Sequence, residues 1–316
     1  MSAGVTTDAG YVGRSSTWSP SPSTVTDWLP CLTESITQDI TLATSEAIGQ
    51  VSQYPGELVR IVAPGDVNCE LDYNYGASVL EYALGAHSAG TYDTADQLSF
   101  IGFEFDKGVA RVRHPSCVID TMTISGAPDE VIRVSYGVVA YEELRSAVAF
   151  PSIRPAQSLQ ERVLFEDLNV RLGITGSALS ASEDIGVSGF ELTLNNTMWL
   201  DGMDSESAKR IMSPERNGIR TATLRLDFAR FTSGLHTGGT HPINDWRDDQ
   251  DELQASLVFT GSTGSYTINC PIAQIPSGAN ANIGGPEVIP DSITLRLNGG
   301  VNSDMAGADQ LQIVHT

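Results

Sequence analysis

The densest group of side chains able to bind a ligand is acidic: Asp245, Asp248, Asp249, Asp251 and Glu252. It could hold a calcium ion, yet it lacks the spaced Asp/Asn loop with a Gly and a distant Glu. It could meet arginines of a neighbouring subunit. It could also be a solvated helix end, where Asp near an N-terminus is favoured by the dipole. His236 and His241 share one Gly-rich loop and could hold a metal, but no carboxylate or Cys has matching spacing. A solvated loop explains them better. His114 and Cys117 come nearest to a zinc pair, and an ordinary strand accounts for both.

The sequence holds no G-x-S-x-G elbow, no H-E-x-x-H, no P-loop, and no G-x-G-x-x-G before a helix. Its 39 acidic residues supply carboxylate pairs freely, so a pair of the glycosidase kind means nothing by itself. Cys31, Cys69, Cys117 and Cys270 form no C-x-x-C, and residues 1–6 show neither a basic nor an apolar leader. Reduced, mostly buried thiols are therefore expected. Asn195-Asn196-Thr197 matches a glycosylation acceptor but is discounted without a secretion signal. The expectation is a chain with no catalytic residue, cofactor or metal.

Any such residues would sit on a β-rich scaffold. Residues 67–74 set Val67, Cys69, Leu71 and Tyr73 against Asn68, Glu70, Asp72 and Asn74, a period of two. Further strands are expected at 58–62, 118–125, 131–141, 189–195, 222–231 and 292–298. Hairpins are expected for 100–105 with 109–113, and for 253–260 with 265–270. Residues 126–129 form a turn cluster. One convincing helix spans 76–84, with Val79, Leu80, Ala83 and Leu84 on one face and Gly85 as its stop. A short helix is expected at 241–248, with Pro242 in its first turn.

The net charge is −21, and only two of the 18 basic residues are lysines. That balance excludes a basic grip on nucleic acid. No run of 18 apolar residues exists, so no membrane-spanning helix is expected. Charged residues are 18% and hydrophobic ones 41%, which suits folded cores and not a disordered acidic tail.

The 316 residues suggest two domains, and the order of elements repeats. A shift of about 155 residues lays Leu71-Asp72-Tyr73 on Leu226-Asp227-Phe228 and Leu98 on Leu253. A tandem duplication follows: an N-terminal arm over 1–30, a first domain over 31–150 and a second over 151–316, with the boundary near 146–160. Long Gly/Ser/Asp-rich loops are expected at 85–97, 173–188, 199–217 and 232–252. Trp18, Trp28, Trp199 and Trp246 lie in or beside irregular segments and read equally as core lids or interface anchors.

Several segments together resemble the tail tube (major tail) proteins of long flexible-tailed, siphovirus-like phages and related archaeal tailed viruses. Pro55-Gly56-Glu57-Leu58, the strand over 67–74 and Gly76-Ala77-Ser78-Val79-Leu80-Glu81-Tyr82-Ala83-Leu84-Gly85 are similar to that family's strand running into a short helix. Residues 117–126 and 130–137 resemble its paired strands, 188–196 the strand opening a second half, and 11–18 its first segment. Segments 199–217 and 232–252 have no counterpart in the pattern.

The resemblance implies a mainly β fold of two tandem tail-tube β-sandwich domains. Each has a short flanking helix and gives strands to a ring-closed β-barrel. It implies homotrimeric, pseudo-sixfold rings, or alternatively hexamers, stacked into a tube that conducts viral DNA. The implied partners are other copies of the chain, a tail terminator, a tape-measure protein and tail-tip or baseplate proteins, with DNA only in transit. The implied location is the virion tail, assembled in the host cytoplasm. The alternative is another virion β-sandwich protein of a capsid, decoration or baseplate. On the tube reading, Glu70, Asp72, Glu104, Asp106 and Asp227 are expected to face the lumen, where like charge discourages phosphate adhesion. Asp245, Asp248, Asp249, Trp18 and Trp246 are expected between subunits.

Overall fold

The computed structural model describes residues 10–15, 17–20, 25–43, 56–107, 111–146, 160–203, 209–229, 235, 239, 241–276, 291–299 and 310–316. These residues form 21 strands and two short α-helices. The first half supplies β1 (Gly10–Ser15), β2 (Asp27–Leu29), β3 (Cys31–Glu34), β4 (Asp39–Ala43), β5 (Glu57–Glu70), α1 (Ser78–Leu84), β6 (Gly85–Ser88) and β7 (Thr91–Thr94). It continues with β8 (Phe100–Asp106), β9 (Arg111–Gly126), β10 (Arg133–Ala140) and β11 (Leu144–Ser146). The second half supplies β12 (Leu168–Ile174), β13 (Asp184–Ile185), β14 (Gly189–Asn195), β15 (Met198–Trp199), β16 (Glu215–Arg216) and β17 (Thr221–Phe228). It closes with α2 (Ile243–Asp248), β18 (Leu253–Thr260), β19 (Ser265–Gln274), β20 (Asp291–Leu297) and β21 (Gln312–His315).

All strand pairs are antiparallel, and one order of pairing occurs twice. In the first half, neighbours run β3–β5–β10–β9–β8–β1–β2, with β11 also on β9. In the second, they run β14–β17–β20–β19–β18–β12–β13, with β21 also on β19. β4 also pairs with the first part of β5, and β15 and β16 form a separate two-stranded sheet.

The halves are joined by β9. Its first residues pair with β8 and β11, while its last six, from Thr121 to Gly126, lie between β10 and β14. A bulge lies in the β9–β10 pair at Gly137. There a Cβ would stand 2.2 Å from Thr121 Oγ1, so only glycine fits without displacing that side chain. The C-terminal strand β21 returns to pair with β7 of the first half.

One core serves both halves. The inward row Val134, Ile124, Leu192, Leu224 and Leu295 runs through facing positions of successive strands, and every member is buried. Burying side chains of this size contributes roughly 1.5–3 kcal/mol each. Helix α1 adds Val79, Leu80, Tyr82, Ala83 and Leu84. It stops at Gly85, whose φ of 111° is the left-handed conformation that ends helices with little strain.

Two polar side chains of the second half secure that helix end. Asn196 is fully buried; its Nδ2 donates to the carbonyls of Ala83 and Ile119, 3.0 Å each. Its Oδ1 accepts from Arg220 Nε at 2.8 Å, and Arg220 Nη2 donates to the carbonyls of Leu84 and Ala95. A guanidinium at a helix C-terminus meets the negative end of its dipole while satisfying carbonyls the helix leaves open.

Several expected boundaries shift. The strand expected over 67–74 ends at Glu70 and joins the one expected at 58–62, making a single 14-residue strand. Part of the expected arm is core: Tyr11, Val12, Trp28 and Leu29 are buried in β1 and β2. Their Ser/Thr/Pro-rich surroundings hide a short alternation. The expected loop at 85–97 contains the β6–β7 hairpin, and the loop at 173–188 contains β13. The boundary expected near 146–160 falls almost wholly outside the described residues.

Replacing Asn196 by Ala leaves the Ala83 and Ile119 carbonyls and the Arg220 guanidinium without their partner. Urea denaturation should show a loss of about 3 kcal/mol. A loss below about 0.5 kcal/mol, the usual surface value, would mean that the cluster does not hold the halves together.

Candidate functional site

The strands β3–β5–β10–β9–β14–β17–β20–β19 make one eight-strand sheet, four strands from each half. Residues opposite one another in a ladder point to the same face. One row therefore reads Thr33, Asn68, Ser135, Thr123, Thr193, Thr223, Arg296, Gln274 across all eight strands. The next reads Glu70, Arg133, Ser125, Glu191, Arg225, Thr294, and a third Asp66, Gly137, Thr121, Asn195, Thr221. No residue of these rows is classed as buried. The alternate residues form the core, so the sheet has one apolar and one hydroxyl-rich face.

The charges on the polar face are nearly balanced. Its carboxylates are Asp66, Glu70, Glu191 and Asp227, and its cations Arg133, Arg225 and Arg296. Arg225 stands opposite Glu191 and pairs with Asp227 at 2.9 Å. Arg133 stands opposite Glu70, which also pairs with Arg162. The net charge of −21 is thus not concentrated here.

The structure separates the five carboxylates expected at a lumen. Glu70 and Asp227 lie on the polar face. Asp106 is half-buried on β8, outside the eight-strand sheet. Asp72 and Glu104 are each 1% exposed within the protomer. Asp72 Oδ1 accepts from the backbone N–H groups of Asn74 (2.8 Å) and Tyr75 (3.1 Å), fixing the turn before α1. Burial pushes its carboxyl up from the usual range, against the pull of those two N–H groups. Glu104 lies between Arg113, 2.7 Å away, and Arg111. Period-two alternation assigns a face to Glu104, but both faces of β8 are covered. Removing one member of such a buried group costs about 3–5 kcal/mol, because the rest stays charged and unpaired.

The two tryptophans expected between subunits pack within the protomer. Trp18 is half-buried against Phe100 and Tyr141, and its Nε1 donates to the Ile211 carbonyl at 2.9 Å. Trp246 is buried on α2, edge-on to His241. Asp248 and Asp249 are exposed at the end of α2, and Asp245 is half-buried. Asp248 pairs with Arg247 at 2.7 Å. His236 lies outside the described residues. The four cysteines are free thiols, three buried and Cys31 half-buried. Among the described residues no helix is long and apolar enough to cross a membrane.

The polar face itself was partly signalled, since Thr193, Asn195, Asn68 and Glu70 occupy the outward positions of strands read from alternation. Its continuity across eight strands depends on register, which one strand's sequence does not carry.

A family model described as phage tail tube protein matches residues 7–297. No curated protein matches the chain.

His114, on β9, supplies a pH test. Burial pushes its imidazole down to about 4, with the nearby carboxylates of Glu34 and Glu143 opposing and Lys107 adding to the shift. The unfolded chain takes up this proton near 6.5, the folded one only near 4. Stability is therefore full above about pH 6.5 and falls as pH drops towards 4, by about 3 kcal/mol from this group. Urea unfolding at pH 7.5 and pH 5 should show the fall, and His114→Gln should reduce it. An equal fall in that variant would assign the pH dependence to other groups.

Proposed function

The chain belongs to the phage tail tube protein family and is a structural component of the virion tail, and from that premise we propose that it polymerises into the tube itself. The chain is read as two tandem copies of one tube domain, so three chains make a pseudo-sixfold ring. The strand order that occurs twice supports this reading. Rings stack head to tail, an open assembly that grows. The observation that carries the proposal is the eight-strand sheet, apolar on one face and hydroxyl-rich on the other. Joined edge to edge, such sheets close into a barrel, which removes exposed edges and turns the polar face to the channel.

In this reading the lumen is lined by Thr121, Thr123, Thr193, Thr223 and their row neighbours, with Asp66, Glu70, Glu191 and Asp227 as its carboxylates. Hydroxyls hydrated by water, and arginines beside carboxylates, offer DNA phosphates no cluster of free cations. The tube thereby conducts DNA without holding it. Asp245 in the first turn of α2, and Asp248 and Asp249 at its end, serve as contacts to a neighbouring subunit or ring. A terminator, a tape-measure protein and tail-tip or baseplate proteins meet the tube at its ends or inside it, and assembly takes place in the host cytoplasm.

Negative-stain microscopy of concentrated protein should show rings or tubes. A chain that stays monomeric at every concentration, even with tail-tip components added, would end the proposal. The lining is tested with Thr193→Cys in a Cys31→Ser background. Monomers should react with maleimides of any size, whereas tubes should react with a small maleimide and far more slowly with a polymer-linked one. Equal rates for the large reagent on tubes and monomers would put this face on the outside.

A further inference from the structure

The tube reading leaves open which edges join, and the internal repeat answers it. Within the chain, the end of β9 is completed by β14. In the matched pairing order, β14 corresponds to β3 and β9 corresponds to β19. The counterpart junction, β19 to β3, is absent within the chain: among the described residues β3 pairs only with β5. Beyond Ala273, β19 has passed the reach of β18 and, among the described residues, pairs only with β20, on its other side. These are the first and last strands of the eight-strand sheet. Eight antiparallel strands leave the two outer ones pointing in opposite directions, so a junction between them is antiparallel, as β9–β14 is.

We propose that β3 of one copy of this chain pairs antiparallel with the end of β19 in the next copy, with Thr33 standing opposite Gln274. The inference rests on the tube reading and deepens it by naming the joining edges and their register. At the junction inside the chain, Thr123 of β9 faces Thr193 of β14. Thr193 and Thr33 hold corresponding places in the polar row, as do Thr123 and Gln274. Pairing Thr33 with Gln274 therefore continues the row from chain to chain. It also sets Leu32, 49% exposed, beside Ile275, which is 2% exposed at the end of the apolar layer. The adjoining edge strand β4 is exposed throughout and presents Ile40 and Leu42, 50% and 55% exposed. An open edge carrying aliphatic side chains is a site for strand addition, and a second copy of the chain carries the matching end.

The test uses full-length chain with Cys31→Ser, Thr33→Cys and Gln274→Cys, assembled and then oxidised with diamide. Denaturing electrophoresis should show covalent oligomers that require both introduced cysteines. Thr33→Cys combined with Thr223→Cys, which lies inside the sheet, should give none. If microscopy shows rings or tubes of the double variant and no cross-link forms, this register is wrong while the tube reading stands. If the wild-type chain forms neither rings nor tubes, the tube reading fails and this one with it. Should the variants not assemble, hydrogen exchange on the wild-type chain decides. The amides of Leu32 and Thr33 should slow on assembly, and unchanged exchange there would overturn the proposal.

Discussion

Everything in this molecule depends on how the sixteen-residue strand β9 satisfies its backbone. Every N–H and C=O in a buried strand requires a partner, and one half of the chain cannot supply them all. The start of β9 takes β8 and β11, and its end takes β10 and β14. That last pairing turns two four-strand groups into one sheet with one buried face. Asn196 and Arg220 follow from it, because β14 delivers Asn196 to the end of α1 just beyond the shared ladder. The core continues across the junction for the same reason: Ile124 and Leu192 stand opposite each other in a single apolar row.

The sequence made the elements legible where periodicity was local. The helix at 78–84 with its Gly85 stop, the β8–β9 and β18–β19 hairpins, and β14 and β17 all appear near their expected places. Strands without a clear local alternation were not legible: β1, β12 and β21 take their strand character from neighbours distant in the chain. Alternation also says which face a residue takes and not whether that face is covered. That is why Glu104 read as a surface carboxylate although it lies between Arg111 and Arg113. The tryptophans were ambiguous for a related reason. Trp18 and Trp246 close gaps in their own protomer, and only packing distinguishes such a lid from an anchor.

The charge acquires a location through the structure. Its simplest reading was an acidic wall repelling DNA. The polar face instead carries Thr, Ser and Asn with four carboxylates against three arginines, so the excess acid lies elsewhere. Low adhesion in the proposed channel then comes from hydration and local neutralisation more than from repulsion. A net charge this far from zero favours solubility of the concentrated protein.

The β9–β14 pairing has a kinetic consequence. Because both strands belong to one chain, this junction forms during folding, at an effective concentration set by the chain and independent of how much protein is present. Only the junctions between chains depend on encounter. In the ring proposed above, every second seam would be sealed before any collision occurs, and the number of bodies that must meet would be halved. Nucleation of that ring, the step most sensitive to dilution, would be eased without strengthening any single contact. The proposed contacts between chains could therefore stay weak enough for a misplaced subunit to leave again.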